Sequence, residues 1–183
     1  MAEPSPVLLA TIRVIDAFTT WCGQLVAWLI LPLVAAVTYE VIARHFFHAP
    51  TIWAYDVTYM LYGVLFMLGT AYALRRGAHI RTDMLWEKYS VRTKGLVDAA
   101  AYLLFFFPGI LFLLFASLDE AYYAWQIGER SEQTAWRPVL YPFKAVVPLT
   151  ALLLLIQGVS ELLKSLYAAR TGNPVERTEA PVI

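Results

Sequence analysis

Long runs without a charged residue are the feature of this sequence that most constrains its fold. Three of them cover residues 17–39, 57–74 and 99–118, and a fourth apolar stretch extends over residues 142–167. An α-helix rises about 1.5 Å per residue, so each run is long enough to cross a hydrocarbon layer of about 30 Å. Only 15% of the 183 residues are charged, whereas soluble domains carry about 25%. The sequence therefore predicts an all-α membrane protein with four transmembrane helices.

The predicted spans form a single domain and leave no room for a separate soluble module. We expect spans at about residues 17–43, 53–74, 96–118 and 142–167, followed by a flexible polar tail over residues 168–183. Residues 7–19 have an amphipathic pattern, with Leu8, Ile12, Ile15 and Thr19 on one face and Arg13 and Asp16 on the other. This pattern is typical of a short interfacial helix at the membrane surface. A helical extension of the first span is the alternative, and the sequence does not separate the two.

Basic residues predict the orientation, because Lys and Arg concentrate in the cytoplasmic connections of membrane proteins. Residues 75–94 hold six of the fourteen, namely Arg75, Arg76, Arg81, Lys88, Arg92 and Lys94. The first connection holds one, and the third holds three against four acidic residues. We expect residues 75–94 and both termini in the cytoplasm. In that position, we expect a helix that lies on the membrane surface and carries Ile80, Met84 and Leu85. Arg76, Lys88 and Arg92 can then contact lipid headgroups.

Cofactor binding and catalysis receive little support from the residues present. The three histidines, His45, His48 and His79, fall at helix ends or in connections on opposite sides of the membrane. A bis-histidine haem needs axial ligands on facing helices inside a bundle. Catalytic sequence motifs are lacking, and the net charge of zero is unlike that of a nucleic-acid-binding domain. We therefore expect no enzyme, no cofactor, no metal and no nucleic-acid partner.

Charged residues near the spans favour a subunit over an independent carrier. Carriers place ionisable residues or broken helices near the middle of the membrane, whereas Glu40, Asp56 and Asp98 lie near predicted span ends. Glu40 and Arg44 are four residues apart and can pair on one helix face. We interpret this pair and Asp56 first as anchors of helix ends and second as contacts to a partner. A haem-carrying anchor subunit of a redox enzyme and a stand-alone four-span carrier remain the alternatives.

The second predicted span carries an aromatic stripe. Tyr55, Tyr59, Tyr62 and Phe66 recur at helical spacing, and Gly69 and Ala73 are spaced for close approach of another helix. We predict a helix-packing interface formed by Tyr59, Tyr62 and Phe66.

Several short motifs lie at the ends of these spans. They are Glu40-x-x-x-Arg44 with Phe46, Trp53 followed by Asp56, Gly69-Thr70-Ala71 with Arg75, and His79-Ile80-Arg81-x-Asp83. With four spans and this length, they make the chain resemble the small membrane subunit, the DctQ-type or Q subunit, of tripartite ATP-independent periplasmic (TRAP) transporters. The family usually has Glu where this chain has Asp56.

The resemblance implies a scaffold subunit in the bacterial inner membrane. It implies a stable complex with a large membrane subunit, which carries the sodium and substrate sites and moves like an elevator. A periplasmic binding protein would capture the substrate, typically an organic acid, and outer loops of this chain would help it dock. Uptake would be driven by an ion gradient and not by ATP. We expect structural or partner contacts from the motif residues, which are Glu40, Arg44, Trp53, Asp56, Gly69, Arg75, His79, Arg81 and Asp83. We interpret residues 79–83 as a hinge between the second and third spans.

Overall fold

The computed structural model describes residues 5–77 and 89–174, of which 81% are helical. The α-helices are α1 (Pro6–Ala27), α2 (Ile30–Phe46), α3 (Ala54–Arg76), α4 (Val91–Ala101), α5 (Phe107–Gln126), α6 (Tyr141–Lys144) and α7 (Val146–Thr171). A π-helical segment, Tyr102–Phe106, joins α4 to α5. Four stretches are long and apolar enough to cross a membrane, namely Pro6–Phe46, Ala54–Arg76, Val91–Gln126 and Tyr141–Thr171. The predicted all-α membrane fold with four spans is confirmed.

Serine and glycine residues define four helix ends. The amide of Leu8 donates to Ser5 Oγ at 3.3 Å at the start of α1, and Ser90 caps α4 in the same way. A serine oxygen at this position satisfies an amide that has no partner inside the helix. Helices α3 and α7 end at Gly77 and Gly172, whose φ angles of 67° and 78° lie in the left-handed region, which glycine adopts without steric cost.

Two prolines explain the irregular points within the spans. Pro32 has no amide hydrogen that could donate to the carbonyl of Trp28. That carbonyl accepts from the Leu31 amide instead, and a short turn separates α1 from α2. Pro108 lies in the first turn of α5, directly after the π-helical segment. Its ring crowds the carbonyl four residues earlier, and the wider π-helical turn relieves that contact. The irregularities at the two prolines therefore take different forms.

Helix α7 lies at the centre and packs against α1, α3, α4 and α5. In the most apolar 18-residue stretch of Tyr141–Thr171, 44% of the residues are buried, compared with 6–11% in the other three spans. Close approach to α4 depends on Gly95, where an added Cβ would lie 2.5 Å from the Ala169 nitrogen. The other spans therefore leave most of their apolar surface facing outwards.

At residues 7–19 the structure has a helical extension of the first span, which is the alternative that the sequence left open, and its third long helix extends beyond residue 118. Residues 7–19 belong to α1, which continues without a break to Ala27, and Asp16 is buried together with Ile12 and Thr19 instead of lying on an exposed face. Helix α5 also runs eight residues past Leu118 to Gln126, so the connection that follows it begins at Ile127.

Candidate functional site

A buried polar junction joins α1, α3 and α7. Its members are Asp16, Thr20, Arg75, Gln157, Ser160, Glu161 and Lys164, all buried. Lys164 Nζ donates to Asp16 Oδ2 and to Glu161 Oε1, both at 2.8 Å. Asp16 Oδ1 accepts from Ser160 Oγ at 2.7 Å and from Gln157 Nε2 at 3.1 Å. One carboxylate of α1 is therefore held by three side chains of α7.

Arg75 extends the junction to α3. Its Nη1 donates to Thr20 Oγ1, and its Nε lies 3.9 Å from Asp16 Oδ2. Among the described residues, the junction contains two carboxylates and two cations, whose formal charges cancel. Buried charges are costly unless they are paired and hydrogen-bonded. The junction meets that condition within this chain, and it fixes α1, α3 and α7 relative to one another.

The spacing of residues on α7 explains why one helix supplies most of the junction. Gln157, Ser160, Glu161 and Lys164 recur at intervals that place them on one helix face. Polar residues within an apolar span face protein, since lipid offers no hydrogen-bond partners. This spacing is a sequence signal for the junction, and it is separate from the short motifs at the ends of the spans.

At the opposite end of the first span, Glu40 closes the connection between α2 and α3. Its Oε1 accepts from Arg44 Nε at 2.9 Å and from Nη2 at 2.5 Å. Its Oε2 accepts from the Thr51 amide at 3.0 Å and from the Thr51 hydroxyl. Trp53 stacks on Tyr39 with ring centroids 5.6 Å apart. Glu40, Arg44 and Trp53 therefore contact residues of α2 and of the connection that follows it.

Asp56 is fully buried at the start of α3 and holds the loop over residues 127–140. Its Oδ1 accepts from Ser131 Oγ at 2.6 Å, and its Oδ2 accepts from the Thr134 hydroxyl. At the end of this loop, Lys144 Nζ donates to Glu120 and Glu129, each at 2.6 Å. The Asp56 carboxylate thus anchors a loop of its own chain.

The aromatic stripe of α3 faces outwards. Tyr59, Tyr62 and Phe66 remain 50%, 53% and 56% exposed. Tyr59 contacts Phe143 at a centroid distance of 5.3 Å, and Tyr62 contacts Phe66 at 4.4 Å. Gly69 lies on the same helix, and an added Cβ there would have no described atom within 4 Å. By contrast, Gly23 and Gly63 are covered by aromatic rings of the described residues.

The remaining predicted residues lie near helix ends or outside the described ranges. Arg76 lies over the Tyr72 ring at 5.4 Å and donates to its hydroxyl at 2.9 Å. Arg92 is exposed beside Gly172. His45 and His48 are exposed before α3. The residues predicted from the sequence that lie outside the described ranges are His79, Ile80, Arg81, Asp83, Met84, Leu85 and Lys88. Among the described residues, no group of three or more His, Cys, Asp or Glu side chains could hold a metal ion.

These features define a multi-pass helical membrane protein with a neutral buried junction and broad apolar outer faces. The family model described as "Tripartite ATP-independent periplasmic transporters, DctQ component" matches residues 33–167. The match covers most of the chain, and the chain belongs to this family. Comparison with curated proteins and with solved structures found no match.

Family membership makes the chain a small membrane subunit of a TRAP transporter in the bacterial inner membrane. This is a family of transporter components and not of enzymes, and it acts with a large membrane subunit and a binding protein. The matched region contains Arg75, Gln157, Glu161 and Lys164, whereas Asp16 precedes it.

Proposed function

We propose that this subunit is a scaffold that braces the large membrane subunit during uptake of an organic acid. The distribution of buried surface supports this role most directly. Within the described part of the chain, the span containing α7 is 44% buried over its most apolar stretch, while the other three spans are 6–11% buried over theirs. A small protein with this distribution can widen the membrane-embedded wall against which a mobile transport domain moves.

The bonding of the buried charges supports a bracing role over transport by this chain alone. A transport site needs polar groups that can exchange partners with a passing ion or substrate. Here Lys164 and Asp16 bond to each other at 2.8 Å and to further side chains of the junction. We therefore assign the substrate and coupling-ion sites, with sodium as the coupling ion, to the large subunit. An ion gradient, and not ATP, drives uptake in this proposal.

The contact with the large subunit is proposed on α3, along Tyr59, Tyr62 and Phe66. These rings are about half exposed, and Gly69 leaves open space further along the helix. Aromatic rings followed by a small residue offer a shaped surface on which a helix from another chain can pack.

Co-purification with the large subunit tests this contact. Tyr59, Tyr62 and Phe66 are replaced together by Ser, and the complex is isolated through a tag on the large subunit. The matched control replaces Phe112 and Phe115 of α5, which are 76% and 64% exposed, by Ser. We expect the α3 variant to lose most of the co-purifying complex and the α5 variant to retain it. Equal retention by both variants, each with native helical circular dichroism, would contradict the proposed face.

The proposed orientation places both termini and residues 75–94 in the cytoplasm, with the loop over residues 127–140 outside. Asp56 holds that loop in one conformation, and such a loop can help the binding protein dock. Arg76, Lys88 and Arg92 would face lipid headgroups on the inner side.

Cysteine labelling tests this orientation. Cys22 is the single cysteine, so a Cys22→Ala background permits labelling of one introduced cysteine at a time. An impermeant maleimide should label Glu132→Cys, and not Ser5→Cys, in intact cells.

A further inference from the structure

Two buried polar atoms next to the junction have no hydrogen-bond partner within the described part of the chain. They are the side-chain oxygens Thr19 Oγ1 and Gln157 Oε1. Thr19 is 2% exposed and Gln157 is completely buried. Polar atoms buried in this way usually bond to protein or to an ordered water, because otherwise the full cost of removing them from water remains.

The orientation of the Gln157 amide is determined by its neighbours. Its Nε2 donates to Asp16 Oδ1 and to Glu161 Oε1, each at 3.1 Å. The opposite amide orientation would direct the oxygen at two carboxylates, which can only accept hydrogen bonds when ionised. Gln157 Oε1 therefore points away from both carboxylates and requires a donor from elsewhere.

The register of α1 and α7 brings the two residues that carry these atoms to a similar level along the bundle. As the first and fourth spans, these helices run in opposite directions, and Asp16 bonds to Ser160 and to Gln157. Thr19 follows Asp16 by three residues on α1, and Gln157 precedes Ser160 by three residues on α7. Each step is about 4.5 Å along its helix axis. Both steps lead in the same direction, away from Lys164 and towards the middle of the bundle.

We propose that one ordered water molecule binds between α1 and α7, donating to Gln157 Oε1 and bonding to the Thr19 hydroxyl. A water molecule can donate twice and accept twice, and a hydroxyl can act as either donor or acceptor, so the two groups are complementary to it. A metal cation fits the same position poorly, since Lys164 and Arg75 already lie beside the carboxylates of the described junction residues. The water completes the hydrogen bonding of the junction on the side facing the membrane interior.

Electron cryomicroscopy of the assembled complex, at a resolution that shows ordered water, tests this site. We expect a density peak within hydrogen-bond distance of both Gln157 Oε1 and Thr19 Oγ1 in the wild-type complex. A direct bond between the two side chains, or no peak beside Gln157 Oε1, would overturn the proposal.

Three variants examine whether the Thr19 hydroxyl holds the water. Thr19→Val removes the hydroxyl with little change in shape and should abolish the peak, whereas Thr19→Ser should retain it. Thr150→Val is the matched control, because the Thr150 hydroxyl is also buried but donates to the Val146 carbonyl of its own helix at 2.8 Å. This control should leave the peak unchanged. An undiminished peak in Thr19→Val would show that Thr19 is not a ligand of the water and would refute the site as proposed.

Discussion

Replacing Lys164 by Met should destabilise the protein strongly, because it removes one cation from a buried and neutral group of charges. Lys164 Nζ donates to Asp16 and Glu161, both at 2.8 Å, and all three side chains are at most 10% exposed. Among the described residues, the variant leaves Arg75 as the remaining cation beside Asp16. Removing one partner of a buried ion pair costs about 3–5 kcal/mol.

The expected loss can be measured as a change in the melting temperature of the purified protein in detergent. For a chain of this size, about 1 kcal/mol corresponds to about 2–4 °C, so we expect a decrease of roughly 6–20 °C. Lys144→Met is the matched control, since Lys144 also bridges two carboxylates, at 2.6 Å each. Its side chain is 24% exposed and that of Glu120 is 61% exposed. Exposed pairs contribute about 0–1 kcal/mol, and the control should lose at most about 4 °C.

A second substitution separates charge imbalance from lost packing. Asp16→Asn combined with Lys164→Met leaves Glu161 and Arg75 and restores neutrality. We expect the double variant to melt at a higher temperature than Lys164→Met alone. Equal losses for the Lys164 and Lys144 variants, or a double variant no more stable than the single one, would refute the assignment of a buried and mutually compensating junction.

Two further predictions concern the loop over residues 127–140 and the packing of α7. Asp56→Ala removes the acceptor of the Ser131 and Thr134 hydroxyls, so hydrogen exchange over residues 127–140 should accelerate. The control is Glu132→Ala, which should leave the exchange unchanged because the Glu132 side chain is 86% exposed. Equal protection in both variants would contradict the anchoring role of Asp56. Gly95→Ala introduces a Cβ 2.5 Å from a backbone nitrogen of α7, and overpacking of this kind costs about 1–3 kcal/mol. Thermal unfolding should show this loss, whereas Gly69→Ala, with no described atom within 4 Å, should not lower the melting temperature; similar behaviour of the two variants would argue against the close α4–α7 contact.

The sequence predicted the helical spans well because a charge-free run of about 20 residues has few other structures available in lipid. It was less informative about where the helices end. The third span was expected to end at about residue 118, before Asp119 and Glu120, but α5 continues to Gln126. Acidic residues are compatible with a helix once it has left the hydrocarbon layer, so the loss of hydrophobicity marks the membrane boundary and not the helix end.

Asp16 shows why the buried junction was harder to predict. In an interfacial helix, the polar face meets water, and that interpretation placed Asp16 on an exposed face. In a membrane bundle, polar side chains face protein, and Asp16 bonds to residues more than 140 positions away. The spacing of Gln157, Ser160, Glu161 and Lys164 indicates a polar face on α7, but one sequence does not show which helix covers it.

The motif residues show a related limit. Arg75 and Asp56 belong to motifs of the resemblance, and both bond to side chains of this same chain. A motif identifies residues that matter without distinguishing a contact inside the subunit from a contact to its partner. The contact with the large subunit on α3 accordingly stays a prediction.

Uptake by reconstituted vesicles tests the scaffold role most directly. The large subunit is placed in vesicles with and without this chain, the loaded binding protein is added outside, and accumulation of radiolabelled organic acid is followed under an inward sodium gradient without ATP. We predict sodium-dependent uptake only when both membrane subunits are present. Equal uptake by the large subunit alone would contradict the scaffold role.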